Sequence, residues 1–151
     1  MKICSFTENA APHLFTADTD LTAVPAAARH VMSRFATASG EGEKITRIEV
    51  EESLSPSVRA IFEREEIPLT GSSFALTCEE GVLTVFATGR DGVLNGLMTF
   101  LRLLDGAGAF SYRTVCDGSV YSFRGIKILM PARAEIPDYR DFVDMMRLRL
   151  L

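Results

Sequence analysis

Few residues in this chain have a type and spacing suited to chemistry. The only histidines, His13 and His30, belong to no Cys/His cluster with metal-ligand spacing. Cys4, Cys78 and Cys116 are far apart and odd in number, unlike a disulfide framework or the close pairs of a zinc site. Cys78 and Cys116 fall in strand-like stretches and read as buried free thiols, acting as small hydrophobes. His30 lies beside the apolar face of an expected helix and reads as a partly exposed helix residue. The adjacent carboxylates Glu51-Glu52, Glu65-Glu66 and Glu79-Glu80 follow a strand, follow a helix and form a turn. Neighbouring acids at such places diverge into water and escape the desolvation that a general acid needs. Gly89-Arg90-Asp91-Gly92 leads from a strand into a helix but lacks the Walker lysine and the dinucleotide glycine spacing, so it reads as a tight turn. No Ser, His and Asp stand in a nucleophile motif. The residues therefore predict no catalytic group, no metal ligand and no cofactor.

The bulk numbers point the same way. The 151 residues make one ordinary domain, 47% apolar and 24% charged, with a net charge of −4. A chain of this length buries roughly two thirds of its unfolded surface, so a core needs no metal or disulfide. No basic segment accumulates, which argues against nucleic acid as a partner. Nothing approaches the roughly 20 apolar residues of a membrane span, and Met1 to Phe6 does not resemble a signal peptide. A cytoplasmic location is the expectation.

Several elements must position whatever the chain does. Ile3 to Phe6 suggests a short strand. Pro25 opens a helix over 25–38, whose apolar face carries Ala28, Val31, Met32 and Phe35. A strand is expected over 44–50. Ser55-Pro56 caps a brief helix over 56–65. Two runs of period two, 72–78 and 82–88, flank Glu79-Glu80-Gly81 and predict a hairpin. Val93, Leu94, Leu97, Met98, Leu101 and Leu104 then trace a broad stripe on a helix over 92–105, which should be the buried one. A strand over 111–116 follows, then an apolar strand through Ile126 to Met130 and a last helix with Tyr139, Phe142, Val143 and Met146. The fold class expected is α+β: an antiparallel or mixed sheet with two helices, 25–38 and 92–105, packed on one face. A closing strand and helix, the opening unit of a (β/α) barrel, cannot bury their own faces alone, so either the pair folds back on the first domain or the natural chain continues.

The stretch from Ser73 to about Phe142 resembles family-20 glycoside hydrolases, the β-N-acetylhexosaminidases. The residues that carry this are Phe74-Ala75-Leu76, then Gly81-Val82-Leu83-Thr84-Val85-Phe86-Ala87. After them come a helix that opens Gly92-Val93-Leu94-Asn95-Gly96-Leu97 and ends Leu103-Leu104, and finally Phe123-Arg124-Gly125. The resemblance implies an N-terminal α+β accessory domain over 1–120 and the start of a truncated catalytic barrel over 121–151. Ile126 to Met130 carries no Asp, and no Arg-His pair follows, so the implied sugar preference departs from that of ordinary hexosaminidases.

In that family catalysis uses an Asp-Glu pair deep in the barrel, with the substrate's acetamido group as nucleophile. The chain stops short of those positions and is expected to be inactive alone. By the same resemblance Arg124 is a substrate-binding residue in the full-length protein, where a planar, always-charged guanidinium suits sugar hydroxyls. An arginine paired with a local acid on an edge strand is the alternative. Lys127 and Arg133 are weaker candidates. The implied partners are the catalytic barrel of the same polypeptide and, in the full-length protein, a carbohydrate. A carbohydrate-binding module, or a stand-alone interaction or dimerisation domain, are the alternatives.

Overall fold

The computed structural model describes residues 4–118 and 136–150. Among them, six strands build one mixed sheet: β1 (Cys4–Leu14), β2 (Glu43–Lys44), β3 (Arg47–Glu51), β4 (Phe74–Glu79), β5 (Val82–Ala87) and β6 (Ala109–Asp117). Four helices accompany it: α1 (Ala26–Ser33), α2 (Pro56–Arg64), α3 (Arg90–Arg102) and α4 (Ile136–Leu150). The class is α+β. The strand order is β2-β1-β6-β4-β5-β3. The pairs β1–β2 and β3–β5 are parallel, and the others are antiparallel.

The order of the strands sets the shape. β2 and β3 are the two edges of the sheet, yet only Ile45 and Thr46 separate them in the chain. Lys44 and Arg47 are three Cα steps apart, at most about 11 Å, so the sheet must curl until its edges come close there. The crossing is tied from both sides: Ile45 N–H donates to Leu14 O at 2.9 Å and Thr46 N–H to Gly81 O at 2.7 Å. Ile45 is itself buried in the mouth of the curl. The single strand expected over 44–50 is therefore two short ones.

The hairpin β4–β5 forms as its alternation predicts. Glu80 (φ 51°) and Gly81 (φ 74°) make the two-residue turn, both with positive φ as a turn matched to strand twist requires. Leu76, Cys78, Leu83 and Val85 face one side, where Val93, Leu97, Met98 and Leu101 of α3 pack on them, and Ala28, Val31 and Met32 of α1 join the same core. The rings of Phe15, Phe100 and Phe110 meet in sequence with centroids 5.1 Å apart, worth about 0.5–1.5 kcal/mol per pair beyond burial. On the other side, Ala75 and Cys116 are covered by Leu54, Ile67 and the Val58 and Phe62 of α2. Ser55 caps α2 through its hydroxyl, which accepts from Val58 N–H, and Pro56 follows as the first helical residue.

Two other expectations need correction. The first strand is not 3–6 but runs to Leu14, because β6 pairs with it as far as Leu14↔Ala109. Two register shifts, at Thr7/Glu8 and Glu8/His13, accommodate a segment with no period of its own. The helix expected over 25–38 stops at Ser33, with Arg34 and Phe35 bonding back into a final turn. Ala38 N–H then donates to Phe15 O, so the chain leaves the helix axis to reach the sheet, and Phe35 is exposed. The final helix extends from Ile136 to Leu150, and Arg34 of the α1 cap meets its Asp141 at 3.2 Å. The strand expected through Ile126 to Met130 and the boundary at 120/121 lie outside the described residues.

Candidate functional site

No motif assigns His13 a role, and the structure buries it. The bulged half of β1 turns its ring inward, leaving it 5% exposed. Asn9 Nδ2 donates to Nδ1 at 3.3 Å, an assignment that puts the ring proton on Nε2. Nε2 stands 3.2 Å from Glu43 Oε2, the cross-strand neighbour on β2, yet without the alignment of a hydrogen bond. The two groups share a groove of about 630 Å³ with Glu8, Cys78, Glu80 and the Arg113–Glu79 ion pair. No spacing announces this arrangement, because the strand that makes it has no alternation to read.

The groove holds a histidine, carboxylates and a thiol, yet they do not form a nucleophile and its base. Burial, and after it the carboxylates of Glu43 and Glu79, pushes the Cys78 thiol up to about 12. A reactive cysteine needs the opposite environment, a cation or helix N-terminus that favours the thiolate. Cys116 is likewise pushed up to about 12, mainly by burial. Both are the buried free thiols that their strand positions implied. Cys4 is exposed.

The paired carboxylates stay apart. Glu79 binds Arg113 through Oε1 at 2.9 and 3.1 Å, while Glu80 sits on the turn in solvent. Glu51 and Glu52 are exposed, and Glu65 bonds the adjacent Arg64. Glu51, Glu52, Glu79 and Glu80 are exposed and not walled in as a general acid would be. His30 is exposed on α1. Among the described residues no three His, Cys, Asp or Glu side chains stand where they could hold one metal ion. The Gly89–Gly92 turn is structural: Gly71 O accepts from Gly92 N–H and Ser72 O from Asn95 Nδ2, so carbonyls of the preceding loop occupy the start of α3. Arg124, Lys127 and Arg133 lie outside the described residues. No described helix is long and apolar enough to cross a membrane.

No described protein family matches the sequence, and no curated protein does. Solved structures do match the fold. The GH20 β-N-acetylhexosaminidase of Streptomyces coelicolor A3(2) superposes with a TM-score of 0.54 at 18% identity, over 92% of this chain and 31% of its own. A mutant β-hexosaminidase of Streptomyces plicatus gives 0.51 at 18% identity, over 80% of this chain and 26% of its own. CpGH84B gives 0.51 at 9% identity, over 91% of this chain and 26% of its own. The chain thus spans under a third of the length of each structure. At these identities the likeness is one of fold: a curled, mixed α+β sheet that this chain shares with part of GH20 β-N-acetylhexosaminidases.

Proposed function

We propose that this chain is the non-catalytic N-terminal domain of a glycoside hydrolase acting on N-acetylhexosaminides or related glycans. In this reading residues 1–120 support a catalytic barrel whose first strand and helix are 121–151. The observation that carries it is the fold likeness, which takes in 92% of this chain but only 31% of a GH20 enzyme. Other features agree. Phe142 and Met145 of α4 are 36% and 42% exposed, apolar surface that further barrel elements would cover. The glycines at 92 and 96 also belong to the segment that resembles the family. In the longer protein Arg124 binds substrate, its guanidinium donating to sugar hydroxyls.

The test compares two proteins on a chromogenic β-N-acetylglucosaminide: this chain alone, and the chain extended by its natural downstream sequence. Only the longer protein should release the chromophore, and Arg124→Ala in it should raise KM or lower kcat/KM. Cleavage by the 151-residue chain alone, or a natural stop codon directly after Leu151, refutes the proposal.

A further inference from the structure

A second groove, of about 380 Å³, opens on the α2 side of the sheet. Thr7, Thr77 and Thr114 line it, and Thr84 continues the same row beyond the lining. Thr7 of β1 pairs with Thr114 of β6, Thr114 with Thr77 of β4, and Thr77 with Thr84 of β5. Strand spacing repeats these side chains roughly every 4.8 Å. Thr77, Thr84 and Thr114 are half-buried and Thr7 is exposed. None of the four hydroxyls hydrogen-bonds another described protein group. Val58 and Ile61 of α2 and the half-buried ring of Phe86 supply an apolar side. The Arg113–Glu79 pair closes one end.

We propose that this groove binds a polyol the size of a monosaccharide. A sugar ring presents hydroxyls around its rim and apolar C–H bonds on its faces. The threonine hydroxyls both donate and accept, so they match sugar hydroxyls in either sense. Val58, Ile61 and Phe86 match the C–H face. Arg113 and Glu79 add fixed donors and an acceptor for the most polar edge. Other ligand classes fit less well. An anion meets an arginine already neutralised by Glu79. A purely apolar ligand would strip water from hydroxyls it cannot satisfy, which costs free energy. The groove is small and open at one side, so affinity should be weak, on the order of millimolar. The inference concerns this chain itself and stands or falls apart from the activity of any longer protein.

The experiment is a titration of the ¹⁵N-labelled chain with glucose, galactose and N-acetylglucosamine, followed by amide chemical shifts. At least one sugar should give saturable shifts confined to the strands carrying Thr7, Thr77 and Thr114 and to α2. The variant Thr77→Val/Thr114→Val keeps the β-branched shape and strand preference and should weaken binding by about tenfold or more. An unchanged spectrum away from the groove checks that it folds. Arg113→Gln should weaken binding further while leaving the threonine row intact. The proposal is overturned if no sugar shifts these amides, if shifts map elsewhere, or if the double valine variant binds as the parent does.

Discussion

Gly92→Ala places a methyl group where the fold has no room. A Cβ built on Gly92 would lie 2.5 Å from Ser73 O and 3.1 Å from Ala87 Cβ. Ser73 O is backbone, itself an acceptor for Thr88 N–H, and it closes the loop that docks on α3. A flexible side-chain tip could swing away at little cost, but this carbonyl cannot. The start of α3 would have to back off β4 and β5 by several tenths of an ångström. That would loosen the packing of Val93, which sits one residue on and is 5% exposed. Overpacking of this kind costs about 1–3 kcal/mol. The helix-propensity gain of alanine over glycine, at most about 1 kcal/mol, is reduced in the first turn. A net loss of about 2 kcal/mol is expected, or a fall in Tm of roughly 4–8 °C for a domain this size. Gly106→Ala is the control, because nothing lies within 4 Å of its added Cβ. It should stay within about 0.5 kcal/mol of the parent. Thermal and urea unfolding by circular dichroism measure both. If Gly92→Ala matches Gly106→Ala, the close approach of α3 to the sheet described above is wrong.

Other expectations follow from the same packing. A thiol reagent at pH 8 should titrate Cys4 rapidly and leave Cys78 and Cys116 protected until urea unfolds the chain. Equal reactivity of all three would contradict their burial. The two buried thiols also predict a pH trend. Their folded values, about 12, lie above the ordinary 9.0, so between those values the unfolded chain binds fewer protons and stability should fall as pH rises. A urea midpoint that holds steady from pH 9 to 11 would count against it. The Asp105 carboxyl accepts from the backbone N–H groups of Ala109 and Ala107, which holds it below the usual carboxylate range. Asp105→Ala should therefore lower Tm at pH 7. The difference should shrink as the pH falls from the ordinary carboxyl value through the lowered folded one, below which the folded parent's carboxyl is protonated too. A gap that persists at acid pH would assign the effect to something else.

Legibility followed range. Where neighbours in the chain are neighbours in space, the residues spoke plainly. The Phe74–Ala87 hairpin announced itself by alternation around Glu80-Gly81, and α3 by its stripe. α2 was marked by Ser55-Pro56, and the two inner cysteines by their place in strands. Each of these depends on contacts within a dozen residues or so. The glycines of α3 were visible as letters, but their reason, a backbone carbonyl 2.5 Å from a missing methyl at Gly92, was not.

What only the tertiary structure decided is whatever rests on distant partners. β1 owes its length to β6, about a hundred residues away, so its own sequence needs no period and shows none. The split of 44–50 follows from two sheet edges meeting at Ile45 and Thr46, a closure that no local pattern encodes. The burial of His13 beside Glu43 and the threonine row across four strands are products of register. A shift of one residue in any pairing would turn those side chains to the opposite face and erase both. Local spacing fixes an element because the chain itself supplies the period. Register and curl are fixed only when remote strands compete for the same backbone hydrogen bonds, and that competition is settled in three dimensions.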